Sequence, residues 1–253
     1  MVLLIRTLGG ATTSRVHPRR IRVMTTTLIT GANKGLGYET ARRLIAEGHT
    51  VWMGARDALR GQRAADALGG RFVPLDVTSD TSVAAAAETV AAAGGLDVLI
   101  NNAGITGVHS KPEELTAADA LAVYDTNVVS IVRMTSAFVP LLRRSDAPTI
   151  VNVTSGLGSF AAVSDPESIA STITAPLYCS SKSAVTMLTV QYAKAFPEMC
   201  INAADPGYTA TDLNGNRGTQ TVQEGTDAIV ELATRGADGP TGTFIDRFGV
   251  ARF

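Results

Sequence analysis

The stretch TGANKGLG, Thr30 to Gly37, stands between an apolar run, TTTLIT, and a segment of helical character, YETARRLIAEG. At a strand-to-helix junction Gly31 permits a sharp turn, Gly35 lets the backbone approach a bound anion, and Gly37 lets the helix pack closely on the strand. Free N–H groups and the positive end of a helix dipole then make the junction fit to hold a pyrophosphate. The Gly-xxx-Gly-x-Gly spacing departs from the commoner Gly-x-Gly-xx-Gly fingerprint, so its meaning rests on the surrounding chain.

That chain alternates. Apolar runs of strand length (TTLIT, HTVWMGA, RFVPLD, LDVLINNAG, TIVNVTS, CINAADPG and GTFID) are separated by helical stretches, among them DALRGQRAADALG, SDTSVAAAAETVAAAGG, a long one from about Ala117 to Arg144, and PLYCSSKSAVTMLTVQYAKAF. The order predicts right-handed βαβ units and an α/β fold: a single Rossmann-type, doubly wound parallel sheet with helices on both faces. A length of 253 residues suits one such domain. Asp57 is expected to cap the second helix, and Ser79 or Asp80 the third. Residues 156–175 read as a long loop, and LNGNRGTQTVQEG, beyond Asp212, as a mobile lid.

The net charge of -1 offers no basic excess for nucleic acid or an anionic membrane. No apolar run has the length of a membrane span. Two cysteines, Cys179 and Cys200, form no disulfide framework or metal knuckle, which suits a reducing cytoplasm, and His17, His49 and His109 form no metal cluster. His109 reads as a loop position and Trp52 as core. Residues 1–23 carry five arginines and no acidic residue. They read as a disordered or dispensable basic extension, with a targeting peptide, an anion-binding arm and residues upstream of a later start as the competing explanations. The fold is expected to occupy residues 24–253.

Two constellations carry chemistry. The second strand ends VWMGARD, so Ala55 stands where an acid would bond the adenosine ribose, and Arg56 follows. With Lys34 in the glycine turn, Arg56 forms a two-cation site for a 2′-phosphate and thus for NADP(H). In YCSSK, Tyr178 and Lys182 lie four residues apart on one helix face, where the ammonium and an oxidised nicotinamide would lower the phenol's pKa and make a usable proton donor. Ser155, closing TIVNVTS, is placed to bond the substrate oxygen.

The ordered set TGANKGLG, LDV at Leu75 to Val77, NNAG at Asn101 to Gly104, Asn127 in DTNVVS, NVTS, YCSSK and DPGYTAT at Asp205 to Thr211 resembles the classical short-chain dehydrogenase/reductase family over residues 25 to about 247. GANKG, ARD and GPTGTFID look most like its NADPH-dependent carbonyl reductase branch. The resemblance implies hydride transfer between NADP(H) and a small-molecule carbonyl or secondary alcohol. It implies that Ser155, Tyr178 and Lys182 orient the carbonyl, deliver the proton and hold the nicotinamide ribose, and that Asn127 holds a relay water. Asp76 and Val77 would contact adenine, Asn102 the adjacent ribose, and Thr209, Ala210 and Thr211 the carboxamide, with Gly104 leaving room for the nicotinamide. Asn33, Leu36, Ala103, Pro206 and Gly207 complete the implied cofactor set. The interval between Ser155 and Tyr178 is longer than in classical members and could roof the substrate pocket or mask a homo-oligomer interface, dimeric or tetrameric. The competing reading is a catalytically silent NADP(H)-binding redox sensor or regulator.

Overall fold

The apolar runs pair side by side as expected. In the computed structural model, which describes residues 24–253, Thr26–Thr30 forms β1, Thr50–Ala55 β2, Arg71–Pro74 β3, Val98–Asn101 β4, Thr149–Val153 β5, Cys200–Ala204 β6, Phe244–Asp246 β7 and Gly249–Val250 β8. They make one sheet in the order β3-β2-β1-β4-β5-β6-β7-β8. All neighbours are parallel except β7 and β8. The last strand is an addition to the expected set. Asp246 accepts the Phe248 N–H at 2.7 Å in a turn that folds β8 back on β7.

The helices are α1 (Gly35–Ala46), α2 (Ala58–Leu68), α3 (Asp80–Ala92), α4 (Ala117–Tyr124), α5 (Ser130–Leu142), α6 (Phe160–Ser164), α7 (Pro176–Ala195), α8 (Val222–Gly225) and α9 (Asp227–Thr234). Strand side chains alternate between two cores. Leu28, Leu99, Ile150 and Ile201 face Val83, Met134, Phe138 and Leu142 of α3 and α5. Ile29, Ile100 and Val151 face Leu44, Ala65, Ile229 and Leu232 of α1, α2 and α9. Each fully buried Leu, Ile or Phe contributes about 1.5–3 kcal/mol, which is why strands apolar on both faces settle in the middle of such a sheet. Trp52 joins the first core, with the Arg71 guanidinium 5.5 Å above its ring.

Asp57 caps α2 by accepting from Arg60 N (2.9 Å), and Ser79, rather than Asp80, caps α3. The long helix expected from Ala117 to Arg144 is two helices joined by a π-helical turn, Asp125–Val129. Residues 156–175 are not an unstructured loop. They hold 3₁₀ turns at Gly156–Gly158 and Ile169–Thr172 with α6 between, because Ser155, Ser159 and Ser168 each cap the turn that follows. The Ser159 hydroxyl also donates to Arg252 O (2.7 Å), so the C-terminal residues pin this segment. Beyond Asp212, backbone bonds between Ala210 and Gln220 and between Gln220 and Tyr208 close the expected lid into a loop. The boundary near residue 24 and His17 concern residues outside those described.

Candidate active site

The strand order reverses between β1, β2 and β4, and the crevice at their carboxyl ends is where an open α/β sheet receives ligands. Gly31 and Gly35 have φ of +65° and +55°, a backbone region that side chains oppose. A Cβ on Gly37 would stand 2.5 Å from Gly31 O and 2.6 Å from Asn102 Nδ2, so the close approach of helix and turn demands glycine. Lys34, at the N-cap of α1, makes no side-chain capping bond, so the first N–H groups of the helix stay available to an anion. This cradle fits a dinucleotide pyrophosphate.

Asn102 builds the cradle. Its amide donates to Thr30 O (2.8 Å) and Gly31 O (3.3 Å), while the Thr30 hydroxyl accepts from the N–H groups of Asn102 and Ala103, both at 2.9 Å. Asp76 accepts from the Thr78 N–H and hydroxyl. Burial alone would raise its pKa, but these bonds and the charges of Arg56 and Arg133 hold it below the ordinary carboxylate value. Val77 beside it is buried. Arg56 thus stands near the position implied for adenine, and Lys34 Nζ lies 3.1 Å from Asp212, joining the glycine turn to the loop that follows β6. The groove beside the turn is lined by Asn33, Lys34, Tyr38, Arg60 and Arg63. Arg60 and Arg63 escaped the sequence reading. Their spacing of three residues on a capped helix was the available signal.

The reacting centre lies on α7 and on the ends of β5 and β6. Pro176 opens α7 and points Tyr178 and Lys182 to the same side, with the ammonium 5.7 Å from the phenol ring centre. Lys182 Nζ is buried and donates to Val153 O at 2.9 Å, which leaves two N–H groups for other acceptors. Burial lowers its pKa to about 8, while the charge of Asp205 opposes the fall. Ser155 acts on the phenol of Tyr178 and favours its ionised form. The Tyr178 pKa is pushed up to about 12, chiefly by burial, with Ser155 pulling it down and Asp205 adding to the rise. In the protein alone burial sets the direction, and the lowering expected from the sequence is one that the ammonium and an oxidised nicotinamide would exert together against it.

Asn127, in the π-helical turn, accepts from Ile105 N (2.8 Å) and donates to Ile105 O and to the Ser181 hydroxyl, both at 2.9 Å. It ties the loop after β4 to α7, as π turns at functional sites often do. Gly104 fits beside it: a Cβ there would be 3.3 Å from Asn127 Oδ1 and 3.5 Å from Lys182 Nζ. After β6, the Thr209 hydroxyl donates to Pro206 O (2.7 Å), Ala210 N to Gln220 O (2.9 Å), and Thr211 lies beside Gly35. The glycine turn, Gly104, the pair on α7 and the Pro206–Thr211 segment therefore surround one crevice. Leu36 enters α1 directly behind the turn. Among the described residues no group of three or more His, Cys, Asp or Glu could hold a metal, and no helix is long and apolar enough to cross a membrane.

A sequence model of the short chain dehydrogenase family matches residues 25–221. The chain belongs to that family. Short-chain dehydrogenase anuI of Penicillium roqueforti is 37% identical, with 83% of this chain and 88% of that protein aligned. A (+)-neomenthol dehydrogenase of Arabidopsis thaliana is 32% identical over 89% and 97% of the two chains. Among solved structures, an NADPH-bound carbonyl reductase from chicken fatty liver superposes with a TM-score of 0.81 at 28% identity, covering 91% of this chain and 99% of that one. As a short-chain dehydrogenase the protein is an oxidoreductase of the family that uses nicotinamide cofactors, and its mostly parallel sheet is that family's Rossmann-like fold.

Proposed function

We propose that this short-chain dehydrogenase reduces a small-molecule carbonyl to a secondary alcohol with NADPH, through a Tyr178–Lys182–Ser155–Asn127 centre. The observation that carries the reading is the Ser155–Tyr178–Lys182 cluster beside the glycine cradle, half-buried at Ser155 and Tyr178 and buried at Lys182. When bound, the nicotinamide supplies the hydride, and the protein supplies position and protons. Ser155 donates a hydrogen bond to the substrate oxygen. Tyr178, protonated at neutral pH because burial holds its pKa near 12, delivers the proton as charge builds on that oxygen. Lys182 offers its remaining N–H groups to the nicotinamide ribose. Asn127 fixes the loop that carries Gly104 and continues the route by which the phenol is reprotonated.

Cofactor choice rests on charge. Ala55 removes the acid that would repel a 2′-phosphate, Lys34, Arg60 and Arg63 line the groove with cations, and Arg56 adds its charge beside Asp76. A charge-assisted contact is worth on the order of 1.5–3 kcal/mol, so NADPH should bind at least about tenfold more tightly than NADH. The test is a screen of ketones, aldehydes, quinones and alcohols with both cofactors, following nicotinamide absorbance alongside direct binding. NADPH consumption with a carbonyl is expected. Equal affinity for the two cofactors would remove the phosphate assignment, and tight NADPH binding without turnover of any carbonyl or alcohol would remove the reductase reading.

A further inference from the structure

Asp205 follows β6, at the end of the sheet where the reacting centre lies. Its Oδ1 accepts the Gly207 N–H at 2.9 Å, and the carboxylate packs against Gly156, one residue beyond Ser155. A Cβ on Gly156 would lie 2.8 Å from Asp205 Oδ2, so the carboxylate occupies space that only glycine leaves beside the serine. Lys182 and Tyr178 feel its charge from α7, each with its pKa raised by it. The charge of Asp246 on β7, after burial, adds to the rise of the Asp205 pKa, which the Gly207 and Gly156 backbone and Lys182 oppose. One side chain therefore touches the backbone that carries Ser155 and the loop after β6, and acts electrostatically on the Tyr178–Lys182 pair.

We infer that Asp205 is a positioning residue: its carboxylate fastens the Ser155–Gly156 corner to the Pro206–Gly207 loop and serves as counter-charge to the Lys182 ammonium. The effect on turnover rests on the proposed reaction, whereas the charge coupling belongs to the protein alone. An unpaired ammonium at this depth would shed its proton, and then neither hold an acceptor nor support the phenol. Asp205 keeps it charged while leaving the phenol protonated, the combination that carbonyl reduction needs.

The experiment follows the ε-carbons of ¹³C-labelled lysine by NMR across pH, without cofactor. The chain has four lysines, Lys34, Lys111, Lys182 and Lys194. The signal lost in Lys182→Arg identifies the buried one, whose pKa is about 8. In Asp205→Asn that titration should fall by roughly one unit or more. In the wild type the same signal should show a second, acid inflection as Asp205 takes its proton. An unmoved lysine, or a single-step wild-type curve if Asp205→Asn does not fold, overturns the inference. With a carbonyl substrate, Asp205→Asn should lower kcat by roughly 10- to 100-fold with NADPH Kd changed less than about threefold, and shift the alkaline limb of the rate profile to lower pH. Unchanged kcat overturns the positioning role. A lysine shift in a protein whose wild type turns over no carbonyl would remove the proposed reaction and leave the charge coupling standing.

Discussion

Lys182 and Lys34 carry the same ammonium into opposite surroundings. Lys182 is 5% exposed, with burial lowering its pKa to about 8. The Lys34 side chain is 61% exposed and meets an Asp212 side chain 66% exposed. An ion pair of that exposure contributes no more than about 1 kcal/mol and weakens with salt, so Asp212 is a partner that a phosphate can replace at little cost. The buried ammonium has no such freedom, and every neighbour alters its charge. Chemistry belongs to the region where desolvation makes electrostatics strong, and cofactor choice to the region where charges can be exchanged.

Substitutions should separate the two regions. Lys182→Met, which nearly keeps the side-chain length, should lower kcat/KM about 1,000-fold or more, since it removes both a ribose partner and the charge beside the phenol. Yet it should raise the stability of the cofactor-free protein. The folded pKa of about 8 lies below the ordinary 10.5, so the unfolded chain binds this proton more tightly. The resulting cost, on the order of 3 kcal/mol, is full below about pH 8 and is recovered as pH climbs toward 10.5. The stability gap between Lys182→Met and the wild type, measured by urea unfolding, should therefore shrink above pH 8. A gap independent of pH would show that the lysine is not held against its charge.

Next in size is Gly37→Ala. Its methyl would meet Gly31 O at 2.5 Å, so the turn must shift, at a cost of about 1–3 kcal/mol. NADPH and NADH should both bind at least about tenfold more weakly, by titration calorimetry. Arg60→Ala should be more selective, weakening NADPH roughly 5- to 10-fold and NADH hardly at all, with the difference fading in high salt. Equal loss for both cofactors would move the phosphate away from Arg60. Asp57→Ala, which deletes the cap on Arg60 N, should cost about 1 kcal/mol in unfolding free energy and change turnover little.

The legible parts of the molecule are those governed by local chemistry. Periodicity placed the seven parallel strands, because buried parallel strands are apolar throughout. Asp57, Ser79 and Pro176 marked helix starts by chemistry confined to a few residues. Tyr178 and Lys182 followed from a spacing of four. What stayed hidden depends on distant contacts. The π turn at Asp125–Val129 has no local signature, and Asn127 finds Ile105 and Ser181 only after the sheet forms. The turns within residues 156–175 rest on local serine caps, but the bond from Ser159 to Arg252 that pins the segment joins residues far apart in sequence. Asp205 was visible in DPGYTAT, but its meaning came from Gly156 and Lys182, far away in sequence. A lysine four residues from Tyr178 can be read from sequence, whereas the burial that raises the phenol's pKa in the protein alone cannot.

The most direct test of the account uses Tyr178→Phe, which removes one phenolic oxygen and keeps the ring. NADPH Kd and single-turnover hydride transfer to a carbonyl would be measured on the same preparation. The account predicts a Kd within about threefold of wild type and transfer slowed by roughly 100- to 10,000-fold. Transfer within about threefold of wild type, or a Kd that weakens in step with the rate, would place the proton donor elsewhere and contradict the separation of buried chemistry from exposed cofactor selection.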